Sequence, residues 1–132
     1  MCIRDSIQGV SRLSQGKLEM QAVIDMAGAV PEEDVKHLLD TMRSDRYEAM
    51  EACINELTCA GYSAHAIFGQ LLEAVVADSD ITDMHKAKAS IKLAEVEKNL
   101  VDGGSEKLQL LHACSYIQCV MADKAPLPGT VA

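Results

Sequence analysis

The segment from Thr82 to Met121 constrains the fold more than any other. Thr82 suits a helix N-cap. At about 100° per residue, the positions after it form two apolar stripes on nearly opposite sides. Met84, Ala87, Ile91 and Ala94 make one stripe; Ala89, Leu93, Val96 and Leu100 make the other. Lys88, Lys92, Glu95 and Asn99 fill one wedge between them, and Lys86 and Glu97 lie in the other. An ordinary surface helix has one apolar stripe. Two stripes predict a helix wedged between neighbours, either inside its own bundle or with one stripe against another subunit. Asp102-Gly103-Gly104-Ser105 then forms a turn, with Gly103 in the left-handed position past the helix end and Ser105 as the next N-cap. The following helix is apolar over most of its surface, through Leu108, Leu110, Leu111, Ala113, Cys114, Ile117, Val120 and Met121. That composition predicts a central, largely surrounded element. Met84, Ile91, Leu93, Val96, Leu100, Leu108 and Leu111 are therefore the candidate residues for a subunit interface or a core.

Shorter helices are predicted upstream. Met1 to Ser6 has no periodicity and reads as an assembly scar or a false start. Ile7, Val10 and Leu13 then give a helical stripe interrupted by Gly9, the end of a helix closed by Ser14, Gln15 and Gly16. Ala22, Val23 and Met26 share a face in a helix from Leu18 that Gly28 ends. Pro31 fits the first turn of the next helix, followed by the acidic run Glu32, Glu33 and Asp34, which complements a helix N-terminus. Val35, Leu38, Leu39 and Met42 make its buried stripe. Ser44 or Asp45 caps another helix, whose buried face is Tyr47, Met50, Cys53, Ile54 and Leu57, with Gly61 as the stop. Ser63 caps the next, with Ile67, Phe68, Leu71, Leu72 and Val75 inward; Gly69 within it would mark a close helix crossing. His65 is expected at the surface. Asp78-Ser79-Asp80 breaks that helix. Lys124 to Ala132, with two prolines and a glycine, is expected to be a disordered tail.

The result is an all-α, compact bundle of about five to six helices. With one Phe and three Tyr in 132 residues, the core must come from Leu, Ile, Val, Met and Ala, which suits helix-on-helix packing. A net charge of −8 without a basic run argues against phosphate-backbone binding by this segment alone. No apolar run approaches the ~18 residues of a membrane span, and no signal peptide is visible. Cys2, Cys53, Cys59, Cys114 and Cys119 form no C-x-x-C pair, and the histidines form no H-x-x-x-H. They read as reduced thiols used as small hydrophobes. No phosphate loop, nucleophile elbow or paired-carboxylate motif is present, so no catalytic, cofactor-binding or metal-binding residue is assigned.

Several ordered stretches carry a resemblance. Lys92-Leu93-Ala94-Glu95-Val96-Glu97-Lys98, Leu100, Asp102-Gly103-Gly104-Ser105-Glu106 and Leu108-Gln109-Leu110 resemble the C-terminal domain of replication factor C small subunits. Asp25-Met26-Ala27-Gly28-Ala29-Val30-Pro31, Ala60-Gly61-Tyr62-Ser63-Ala64 and Leu71-Leu72-Glu73-Ala74-Val75-Val76 fit the same family in the same order. Ile7-Gln8-Gly9-Val10-Ser11-Arg12-Leu13 resembles the helix that ends its ATPase lid. The likeness covers about residues 7–121.

The resemblance implies a helical collar domain that joins sibling subunits into a hetero-pentameric clamp loader in the nucleus. That machine loads a sliding clamp onto primer–template DNA during replication and repair. It implies an AAA+ ATPase module upstream, holding ATP and Mg; this fragment itself would have no cofactor and no enzymatic activity. The sliding clamp and DNA would be met only through the full complex, with no membrane contact. Arg4 is out of register with the family's sensor arginine and takes no such role. The implied layout is residues 1–15 as an N-terminal remnant, 16–122 as the collar domain and 123–132 as the tail. Two other classes compete: an unrelated helical adaptor or homodimer, and a small metal or redox protein.

Overall fold

The computed structural model describes residues 3–13, 19–44 and 46–123. Among them are seven helices and no strand: α1 (Ile3–Leu13), α2 (Met20–Ala27), α3 (Glu32–Arg43), α4 (Tyr47–Cys59), α5 (Ala64–Ala77), α6 (Asp83–Val101) and α7 (Glu106–Met121). The all-α class is as expected, with more helices than the five to six predicted. The aperiodic start is itself helical from Ile3, with Asp5 in the first turn and Arg12 in the last, each complementing the helix dipole.

α1 packs on α2, where Gly9 admits the Met26 thioether: a Cβ on Gly9 would lie 3.3 Å from its sulfur. Val30 and helices α3 to α7 build the continuous core. Leu38, Met42, Met50, Ile54, Ile67, Phe68, Leu71, Leu93, Leu110 and Ile117 are all less than 2% exposed or at that limit. α7 packs against α3, α4, α5 and α6, so it is the central helix that its composition predicted.

Glycine-terminated turns set the helix ends. Gly28, Gly61 and Gly103 have φ of 65°, 91° and 95°, the region closed to most side chains. Past α6, Gly103 N–H donates to the Leu100 carbonyl and Gly104 N–H to the Asn99 carbonyl, at 3.0 and 2.8 Å. This paired pattern satisfies two carbonyls the helix leaves open. Gly61 and Tyr62 repeat it on Thr58 and Leu57 at 3.1 and 3.3 Å. Ser63 and Thr82 cap α5 and α6 through their hydroxyls, as predicted.

Several local expectations are corrected. Pro31 is the N-cap of α3, one position before the first turn, and its carbonyl accepts from Asp34 and Val35. Ser44 ends α3, and α4 starts after Arg46 with no side-chain cap. Tyr47 is 47% exposed because it opens α4 at the bundle's edge. Gly69 marks no close crossing: a Cβ there would meet nothing within 4 Å. Ser105 occupies the N-cap of α7 without a side-chain bond. Asp45, the Ser14–Gly16 stop, Leu18, and Lys124 to Ala132 lie outside the described residues.

Candidate assembly interface

α6 shows what the double stripe does. Ala89, Leu93 and Val96 are 1%, 2% and 0% exposed, and Leu100 is half-buried against the same core. On the other side, Met84 is 64% and Ile91 71% exposed, and Ala87 and Ala94 are exposed with them. Val101, which falls on this outer side by helical spacing, is also exposed. From Met84 to Val101 the outer stripe runs roughly 25 Å at 1.5 Å per residue. On α7, Leu108 is 64% exposed and Leu111 half-buried against the core. The seven candidates thus divide. Leu93 and Val96 are core, Leu100 and Leu111 lie at its margin, and Met84, Ile91 and Leu108 are uncovered.

Between the two faces lies a residue that spacing places in the polar wedge between the stripes. Lys92 is 2% exposed. Its ammonium donates to Glu95 Oε2 at 2.7 Å, sits 3.5 Å from His112 Nε2, and lies 4.8 Å from the centre of the Tyr116 ring. An ammonium has only protons to give, so in this contact His112 Nε2 can act only as the acceptor. The hydrogen bond from Lys92 holds the Glu95 carboxyl below its ordinary range. The lysine stem lies along apolar surface while its head finds partners locally. His112 and Tyr116 are four apart on one face of α7, a signal legible only once the α6–α7 register is known.

Polar links position this hairpin on the bundle. Glu106 Oε2 accepts from the Ala64 N–H at 3.0 Å, so the first turn of α7 caps the first turn of α5. Lys86 Nζ donates to the Val76 carbonyl at 2.8 Å, and His85 Nε2 meets Asp123 Oδ1 at 3.0 Å. Gln70 clamps the strap before α3, accepting from Val30 N–H at 2.7 Å and donating to its carbonyl at 2.9 Å. Neither Glu106 nor Gln70 stands out in the sequence, because each partner is about forty residues away.

The family model for the Replication factor C C-terminal domain matches residues 30–116. The chain belongs to this family. The matched span of the replication factor C domain starts at the strap Gln70 holds and runs into α7, taking in the whole of α6. Similar proteins carry the same name. Replication factor C subunit 4 of Arabidopsis thaliana is 37% identical over 120 residues, 90% of this chain and 35% of that protein. Subunit 2 of Oryza sativa subsp. japonica is 35% identical over 109 residues, 83% of this chain and 32% of that protein. Subunit 4 of Homo sapiens is 34% identical over 112 residues, 84% of this chain and 31% of that protein. The chain spans about a third of the length of these relatives.

The two buried thiols of this replication factor C domain are held in their neutral form. Cys53 Sγ lies 3.6 Å from His37 Nδ1, but burial, and then Glu56 and Asp34, push its thiol up. Burial pushes the Cys114 thiol up to about 12. Both stay protonated, the form that is neither nucleophile nor ligand. Among the described residues, no three His, Cys, Asp or Glu side chains are gathered to hold a metal ion, and no helix is long and apolar enough to cross a membrane. Of the acidic triplet at the start of α3, Glu32 pairs with Lys36 at 2.6 Å on the surface.

Proposed function

We propose that this domain is the collar of a clamp-loader small subunit and that it joins sibling subunits through the outer side of the α6–α7 hairpin. The observation that carries this is the outer stripe of α6. Four apolar residues at helical spacing, continuous with a folded core on the helix's other side, stay uncovered in the single chain. Exposed apolar surface rimmed by polar groups marks interaction sites. Lys88, Lys98 and Glu95 supply that rim.

On this reading the partners are the other replication factor C subunits in a hetero-pentamer. The sliding clamp and primer–template DNA are met only through the whole complex, in the nucleus. ATP and Mg belong to the two thirds of the relatives' length that this chain does not match. The domain itself contributes association and no catalysis.

Ile91→Asp is the direct test. A charge on the outer stripe should remove the chain from complexes purified through a sibling subunit, with helicity by circular dichroism unchanged. Retention of the variant in those complexes would exclude this face as the contact.

A further inference from the structure

Four polar side chains converge at the α6–α7 boundary. The Lys92 ammonium meets the Glu95 carboxylate at 2.7 Å, the His112 Nε2 lone pair at 3.5 Å, and the face of the Tyr116 ring, whose centre is 4.8 Å away. Each of its N–H donors thus has a partner. The lysine is 2% exposed, whereas His112 is open to water and Tyr116 is half-buried. Of these four residue types, only histidine ordinarily changes charge between about pH 5 and 8. A proton on Nε2 takes the lone pair that Lys92 uses and sets a second cation against the ammonium.

The groups facing His112 are Lys92 and Glu95 from α6 and, one turn on along α7 itself, Tyr116. Helices α3, α4 and α5 pack on the side of α7 that bears Leu110, Cys114 and Ile117, across the helix from His112 by spacing. Among the described residues, no hydrogen bond or ion pair joins His112 to a charged group of those three helices. Glu95 keeps its charge as the imidazole gains a proton, because the Lys92 hydrogen bond holds its carboxyl below the ordinary range. We propose that His112 is a pH-sensitive latch on Lys92: neutral, it accepts from the ammonium and holds it in the boundary; protonated, it turns to water and releases the lysine to the edge of the outer stripe of α6. The contact is present at alkaline pH and lost on acidification. Glu95, already on the rim of that stripe, draws the freed ammonium there. The consequence for association rests on the assembly reading above: a released charge beside Ile91 opposes cover of the stripe by a partner.

The lysine reports its own position, because protons held over an aromatic face resonate upfield. In NMR spectra of the chain, the Lys92 Hε signal should lie upfield at about pH 8 and move to the ordinary lysine position by about pH 5, in step with the His112 ring. His112→Gln, whose amide oxygen accepts but does not titrate, should keep the Lys92 signal in place throughout. A Lys92 signal that stays put while the His112 ring titrates, or that moves equally in the variant, overturns the latch. Association with a sibling subunit should weaken on the same acidification about two- to fivefold more for the unmodified chain than for His112→Gln, the range of a rim charge. Equal weakening of the two overturns the coupling to assembly. If the chain binds no sibling at either pH, the assembly reading itself falls, and the NMR titration still decides the latch.

Discussion

The two sides of α6 are made of nearly the same residues and meet opposite fates. The inner side has Ala89, Leu93 and Val96, each at most 2% exposed; the outer side has Ala87, Ile91 and Ala94, with Ile91 71% exposed. Small and branched aliphatic side chains recur at the same spacing on both. What differs is the cover: α5 and α7 close over the inner side, and no described residue closes over the outer one. Full burial of an Ile or Leu side chain is worth about 1.5–3 kcal/mol over exposure. The inner side has that stabilisation in the monomer, whereas the outer side can gain it only from a partner. Apolar periodicity therefore identifies a surface that favours cover without saying which chain supplies it.

The largest expected effects separate the two sides directly. Leu93→Ala opens a cavity in a closed core and should cost about 2–5 kcal/mol in urea denaturation. Ile91→Ala should change the isolated chain's stability by under about 0.5 kcal/mol, as surface changes do. If both variants lost stability equally, the outer stripe would be covered within the chain itself and the contrast would disappear.

The turn between α6 and α7 gives a smaller effect. A Cβ on Gly104 would lie 2.8 Å from the Asn99 carbonyl oxygen, backbone that cannot swing aside. Gly104→Ala should cost roughly 1–3 kcal/mol by thermal melting, in the range of local backbone strain. Gly103→Ala, at φ 95°, should cost about 1–2 kcal/mol from the left-handed penalty alone. Both changes loosen the inner side against α7 and leave the outer stripe chemically intact. The folded fraction of either variant should therefore still co-purify with sibling subunits; loss of association at full occupancy of the fold would show that the turn itself is part of the contact.

Much of this was legible because it depends on near neighbours. Gly28, Gly61 and Gly103 stop helices through a backbone angle, and Ser63 and Thr82 cap them within one turn. The stripes of α3 and α5 follow from a helical period, and the order of family-like segments follows the same elements. What was missed depends on distant residues. The burial of Lys92 in its wedge has no local signal, because its cover, His112 and Tyr116, comes from the next helix. Gln70 carries no local signal because its partner, Val30, is forty residues away. Tyr47 was placed inside by its period, but a first-turn position at the bundle's edge leaves its ring half in water. The division of the seven candidates between core and open surface had no local signal at all.

The smallest effect concerns the residue at the boundary of the two sides. Lys92→Met keeps the stem's apolar contacts and removes a buried charge. Its partner, Glu95, has a side chain 40% exposed and remains hydrated when the ammonium is gone. Replacing a buried ion by an apolar group of similar shape is often neutral or stabilising, so stability at pH 7 should shift by less than about 1 kcal/mol. The pH dependence should change more clearly. The Lys92 hydrogen bond lowers the folded-state pKa of Glu95. The resulting stabilisation is complete above the ordinary glutamate value of about 4.3 and is lost as pH falls through the lower folded-state value. Lys92→Met lacks that increment, so its denaturation midpoint should fall less steeply below pH 4 than the unmodified chain's. Parallel acid profiles would mean that Lys92 and Glu95 are not paired in solution, and that the lysine belongs to the open outer side of α6 instead of the boundary.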